Sequence, residues 1–219
     1  MRTLALAVLL ALPCWAAPSK SPMEWSPVQT NEIARWKAEN KAPSGVVADK
    51  AARSVRFLVE ATGIGADETI EFFAIGPLSD RAYESMFVTV ASPAAIAQAF
   101  DTVGVPRGVA ADPLQARFWP LGEKVTLAIK PWGKEAASRP TGGLTAFLND
   151  TRAAEEGAML DRPLAYAAGS RDASGLPVAS TNIPCAVFAL YNHAPALLQL
   201  DGQLDQSGAY GRFLTKAKY

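Results

Sequence analysis

Three stretches in the first half of the chain alternate apolar and polar residues with a period of two, the repeat of a strand with one buried face. In "SVRFLVEA" the apolar set is Val55, Phe57 and Val59, in "TIEFFAI" it is Ile70, Phe72 and Ala74, and in "YESMFVTV" it is Met86, Val88 and Val90. The segments "TGIGAD" and "GPLSD" between them are rich in turn residues. The simplest arrangement is a three-stranded antiparallel meander pairing residue 59 with 70, 57 with 72, 72 with 86 and 70 with 88. That register brings all three apolar sets to one side. The other side carries Leu58, Phe73, Ile75 and Phe87, so it too is partly covered. Glu84 breaks the pattern, because the period puts this carboxylate on the apolar face of its own strand, beside Met86.

The period then changes. Ser92 and Pro93 are a hydroxyl N-cap followed by proline at the first helical position, Ile96 and Phe100 lie four apart, and Gly104 is a natural stop. A long loop, "GVPRGVAADPLQARFWPLGEK", leads to "VTLAIKPW", a strand with Val125, Leu127 and Ile129 on one face. From Lys134 to Gly175 only short apolar pieces stand out, "LTAFL" and "LAYAAGS". "CAVFALY" is a buried strand, and "NHAPALLQL" after it reads as a turn into a helix begun near Pro195. "FVTVASPAAIAQA" and "VFALYNHAPALLQL" thus share an order of strand, polar turn, proline and apolar helix, through duplication or a common way of entering a helix. Upstream, "TNEIARWKAEN" suits a short helix with Ile33 and Trp36 on one side and Thr30 or Asn31 as cap, and "KAPSGVVADK" reads as a linker. The pattern predicts an N-terminal arm over 17–50 and one domain over 51–219. Its fold class is α+β, mainly an antiparallel β-sheet with a few short helices.

The first residues are a processing signal rather than structure. Arg2 supplies a positive n-region, and Leu4 to Leu12 form an apolar run well short of the roughly 20 residues that span a bilayer. Cleavage after Ala16 puts small residues, Cys14 and Ala16, at both recognition positions. A lipid anchor on Cys14 is disfavoured by Pro13 just before it. The expectation is a signal peptide over 1–16 and a soluble mature chain without a transmembrane segment, periplasmic or secreted.

Composition narrows the chemistry. Apolar residues make up 49% of the chain, as a globular core requires. Basic and acidic residues balance at 21 each with no basic run, so no nucleic-acid partner is expected. Removal of Cys14 leaves Cys185 alone, which excludes an internal disulfide, a four-cysteine cluster and a Cys₄ zinc site. Cys185 then reads as a small core residue. The single histidine, His193, would have to serve any Ser-His or Cys-His site. An extended strand rises about 3.3 Å per residue, which separates Cys185 from His193 by roughly 20 Å, so His193 reads as a surface turn residue. Asp67, Glu68 and Glu71 lack the ligand spacing of a calcium loop and read as a solvated hairpin end. "GVPRG" and "TGG" are not followed by the Gly-Lys-Ser/Thr of a phosphate loop. Trp119, Trp132 and Phe118 make either an aromatic binding surface or ordinary packing. No metal and no cofactor is expected.

Two charged groups remain. Asp80 and Arg81 sit in a turn, where an exposed ion pair is worth little. Glu84 on an apolar face needs a partner, and Arg107, Arg117 and Arg139 are the candidates.

The stretch "TIEFFAIGPLSDRAYESMFVTVASPAAIAQAFDTVGVPRG", with "FWPLGEKVTLAI" after it, resembles the YdjY-like domain of exported bacterial proteins. The resemblance rests on Glu71 and Phe72, Tyr83-Glu84-Ser85, Pro93, Gly104, Gly108 and the Trp119-Pro120-Leu121-Gly122 turn, and extends through "LAYAAGS" to "AVFALYNHAPALLQLD" and "YGRF", loosely between Lys134 and Gly175. That family has no established reaction or ligand. The leading expectation is an exported, non-enzymatic binding or accessory protein of the cell envelope, with Glu84, Ser85 and Tyr83 as ligand-binding candidates. Its partner would be an envelope protein or a small ligand. The alternative is a hydrolase, or another carboxylate-dependent enzyme, using Glu84 in a pocket.

Overall fold

A computed structural model of the chain describes residues 27–111, 116–132, 140–167, 186–193 and 196–217. The expected signal segment with Cys14 and Ala16, Arg139, Cys185 and Pro195 lie outside these residues. Helix α1 covers Pro27–Glu39, and strands β1 to β5 cover Val46–Asp49, Ser54–Phe57, Val59–Ala61, Phe72–Ile75 and Ser85–Thr89. Helix α2 (Pro93–Thr102) is followed by β6 (Lys124–Val125), β7 (Leu148–Asp150), α3 (Ala153–Glu156) and β8 (Leu164–Tyr166). The last elements are β9 (Ala186–Ala189), β10 (Leu198–Leu200), α4 (Gln206–Ala209) and β11 (Phe213–Thr215). The fold is α+β. A seven-stranded sheet runs in the order β3-β5-β4-β9-β10-β8-β6, and β1-β2 and β7-β11 form separate antiparallel pairs. In the large sheet β5-β4 and β9-β10 are parallel and the remaining pairs antiparallel. Among the described residues no helix is long and apolar enough to cross a membrane.

The meander does not form. β3 pairs with β5, Val59 opposite Thr89, while β4 runs parallel to β5 with Phe72 opposite Ser85 and Ile75 opposite Val88. The reason is burial on both faces. Every residue of β4, β5 and β9 is buried, so β4 is a central strand whose neighbours are β5 and β9 instead of β3 and β5. Phe73 packs edge-on to Phe87 (5.3 Å between centroids) and Phe147 (6.0 Å) and tilts against Phe188 (5.5 Å). Residues 76–84 become the crossover that returns the chain to start β5 parallel to β4.

Helix α2 forms as its sequence dictates. The Ser92 hydroxyl accepts from the Ala95 N–H (3.2 Å), Pro93 opens the first turn, and Ile96 and Phe100 are buried. Gly104 follows with φ +78°, a conformation that only glycine adopts without strain. Val125, Leu127 and Ile129 are half-buried and alternate with exposed neighbours, but only Lys124–Val125 joins the ladder. Two other expectations change. The linker contains β1, paired with β2 from Val46↔Phe57 to Asp49↔Ser54. The helix expected near Pro195 is replaced by β10, which lies fully buried between β9 and β8. A short continuous apolar run suits either state, and here the sheet claims it, so the apparent internal echo ends at its second helix. Helix α1 starts upstream of both proposed caps and buries Trp36.

Two close approaches tie the later segments together. A Cβ on Gly122 would stand 2.2 Å from the Tyr166 carbonyl oxygen, and one on Gly108 2.2 Å from the Leu121 carbonyl oxygen. Both positions are thus confined to glycine by backbone contact, where Val109 and Leu121 bridge. At the other side, Arg212 is buried with its guanidinium spanning Asp150, Glu156 and the Gly157 carbonyl.

Candidate functional site

The candidate residues Tyr83, Glu84 and Ser85 fall where the backbone changes conformation. Ala82–Glu84 is a 3-10 turn, and β5 begins only at Ser85. The period-two rule therefore stops one residue short of Glu84, and Glu84 belongs to no apolar strand face. Its side chain is nonetheless only 16% exposed, and its carboxylate takes a 2.7 Å ion pair from Arg81. This corrects the expected partner. Arg107 pairs with Asp101, and the Arg117 Nε donates to the Ala110 carbonyl (2.5 Å). A 3-10 turn brings residues three apart together, so the local arginine reaches Glu84 first.

Arg81 organises the turn. Its Nη1 also donates to the Tyr83 hydroxyl (3.2 Å), and its Nε lies 3.8 Å from Asp80. The hydrogen bond to Glu84 holds the guanidinium pKa above its ordinary value. The Arg81 carbonyl accepts from the Glu84 N–H (3.2 Å) and from the Ser85 hydroxyl (2.5 Å). Ser85 is fully buried, so its hydroxyl locks the turn from below. Leu78 and Tyr83, by contrast, are 70% and 63% exposed.

Glu71 sits across the ladder from Glu84. Its N–H donates to the Glu84 carbonyl (3.0 Å), and its carbonyl accepts from the Leu190 N–H (2.9 Å). These bonds extend β4 by one residue on both edges. Glu71 is 6% exposed, and Gln206 of α4 donates to its Oε2 (2.9 Å). Burial raises the Glu71 pKa, the Gln206 hydrogen bond opposes that, the Glu84 charge adds to it, and Arg81 opposes it again. The net direction is upward.

Behind Glu71 the turn after β9 folds onto Phe72. The rings of Tyr191 and His193 lie 5.7 Å and 5.4 Å from the Phe72 ring, and the Tyr191 hydroxyl is 3.1 Å from His193 Nδ1. Burial, reinforced by Glu71 and Glu84, pushes the Tyr191 phenol up to about 12. Burial, then the Arg81 charge, lowers His193 to about 4. Both groups are neutral at neutral pH. His193 is therefore not the surface turn residue its sequence context suggested, because the turn packs inward on aromatic neighbours.

The structure thus brings Glu84 and Tyr83 together with Arg81, Glu71, Tyr191, His193 and Gln206. Sequence reasoning passed over the last five as site members. Glu71 and Gln206 are 135 positions apart, and no local pattern joins them. Asp67 and Glu68 go elsewhere: their N–H groups donate to the Thr215 carbonyl (2.8 Å) and hydroxyl (3.1 Å), so this segment is pinned to β11 and is not a hairpin end. Among the described residues no three His, Cys, Asp or Glu side chains converge as metal ligands would. Phe118 and Trp119 are about half exposed, while Trp132 receives the Arg35 guanidinium over its ring (4.4 Å). No family model matches the chain, and neither does any curated protein or solved structure.

Proposed function

We propose that this chain is an exported, soluble, non-enzymatic binding or accessory protein of the cell envelope, of the YdjY-like kind, and that it recognises its partner through the crossover 76–84. One observation carries the reading. The polar groups of this region pair with one another: Glu84 with Arg81, Glu71 with Gln206, and the Ser85 hydroxyl with the Arg81 carbonyl. The Tyr83 ring and the Leu78 side chain remain presented to solvent beside the half-exposed Asp80 and Arg81. Tyrosine and arginine side chains are frequent anchors of recognition. The N-terminal pattern around Arg2, Leu4 to Leu12 and Ala16 supports export.

The enzymatic reading has one observation in its favour. A buried carboxyl with a raised pKa, Glu71, stands beside an ion-paired carboxylate, Glu84, and such divergent pairs serve acid-base catalysis. Two measurements decide. Intact mass of protein from its native cell envelope is expected to begin at Ala17, and retention of Met1 would overturn export. Purified protein is expected to leave chromogenic esters, phosphates and glycosides unchanged. Turnover that disappears in both Glu71→Gln and Glu84→Gln would establish the enzyme instead.

A further inference from the structure

One polar side chain, Gln199, stands between Leu198 and Leu200 on β10, and it is fully buried. Its register partners are Ala189 of β9 and Ala165 of β8. Both are small, so neither reaches up the sheet face beside the amide. The turn that carries Tyr191 and His193 crosses this face. Gln199 Nε2 donates to the His193 carbonyl (2.7 Å). Asn192 clasps Leu204 with both ends: its backbone N–H donates to the Leu204 carbonyl (2.7 Å), and its Oδ1 accepts from the Leu204 N–H (2.6 Å). Two atoms are left over. Gln199 Oε1 and Asn192 Nδ2 are shielded from solvent, and among the described residues neither has a hydrogen-bond partner.

Exchanging the ends of either amide does not repair this. A turned Gln199 would set its oxygen against the His193 carbonyl, and a turned Asn192 would set its NH₂ against the Leu204 N–H. The leftover pair is one acceptor and one donor. Buried polar groups in native proteins are overwhelmingly paired, with protein or with ordered water. A cation is excluded by the amide donor. A water both donates and accepts, and it suits a small polar site with two or more partners.

We propose that one ordered water bridges Asn192 Nδ2 and Gln199 Oε1, and that it pins the turn bearing Tyr191 and His193 onto the sheet behind Glu71. The water accepts from Asn192 and donates to Gln199, so the site is neutral and its geometry is set by two amides already fixed at their other ends. It is a positioning element for the wall of the recognition region.

A crystal structure of the wild-type chain at a resolution that shows waters tests the bridge. A well-ordered peak within about 3.2 Å of both atoms is expected. An empty site, or the two amides bonded directly to each other, would overturn it. The pinning is read from the sole histidine, whose ring signal is unambiguous in proton NMR. Gln199→Leu removes both the acceptor and the Nε2 donor to the His193 carbonyl, and the His193 titration midpoint should then rise by about one unit or more toward the ordinary value. A folded Gln199→Leu protein with an unchanged midpoint would show that the amide and its water do not hold the turn.

Discussion

Asp150→Ala is expected to be among the costliest single changes in this chain. The Arg212 side chain is 2% exposed and that of Asp150 5% exposed. Arg212 donates to Asp150 through Nε (2.7 Å) and Nη2 (2.9 Å), to Glu156 (2.8 Å) and to the Gly157 carbonyl (2.8 Å). Asp150 also accepts from the N–H groups of Met159 (3.0 Å) and Arg152 (3.2 Å). Alanine removes all of the Asp150 bonds and leaves a buried cation. Breaking a buried pair costs about 3–5 kcal/mol. The surviving contact with Glu156, whose side chain is 47% exposed, sets the expectation at the lower end, about 3 kcal/mol. Glu84→Ala is the comparison. Its partner Arg81 is 46% exposed and only three residues away, so solvent screening limits the loss to about 1 kcal/mol or less. Urea unfolding at constant slope gives both differences. Acid adds a check. Burial by itself would raise the Asp150 pKa, but the Arg212 hydrogen bond and charge and the Met159 and Arg152 N–H groups outweigh it and hold the carboxyl below its ordinary 3.8. A lowered folded pKa contributes stability that is full above the unfolded value and is lost as pH falls through the folded one. The gap between wild type and Asp150→Asn should therefore close below about pH 4. An Asp150→Ala protein within about 1 kcal/mol of wild type, or one more stable than Glu84→Ala, would refute the reasoning.

Three further outcomes follow from the site and its supports. Burial raises the Glu71 pKa above its ordinary 4.5, so the native state holds that proton more tightly and loses stability as pH rises through the raised value. Glu71→Gln should then melt above wild type at pH 7 and lose that advantage below about pH 4, and a lower melting point at pH 7 would contradict it. His193 should titrate near 4 in the folded protein, and its contribution to stability, full above 6.5, should decline as pH falls toward that midpoint. A midpoint near 6.5 would place the ring in water. Gly122→Ala drives a Cβ to 2.2 Å from a β8 carbonyl oxygen and should cost about 1–3 kcal/mol by denaturant unfolding. Gly143→Ala, with nothing nearer than 3.6 Å, should stay within about 0.5 kcal/mol, and equal effects would show that the loop does not press on β8.

Local chemistry was readable. The cap, first-turn proline and terminal glycine of α2 each act within a few residues, and each is found in place. The alternation of Val125, Leu127 and Ile129 survives too, although only part of it pairs. Strand order was not readable, because β4 is buried on both faces and its partners are chosen by packing across the chain. The apolar residues Phe73, Ile75 and Phe87 on the supposedly outer face were the available sign. Glu84 was misassigned because it ends a 3-10 turn and the strand period begins only at the next residue, Ser85. The remaining site partners, Gln206, Tyr191 and His193, reach Glu71 and Phe72 only through the fold. So does the Asp150–Arg212 pair, separated by 62 positions.

The claim that the crossover 76–84 is a recognition surface in the envelope is tested most directly by crosslinking from its exposed ring. A photo-reactive amino acid is placed at position 83 in cells that make the full chain, and a control is placed at position 210, where Tyr210 is comparably exposed at 71%. Position 83 is predicted to give one discrete envelope adduct that weakens strongly in Arg81→Ala, and position 210 none. Adducts that are absent at 83, or the same at both positions, would contradict the account.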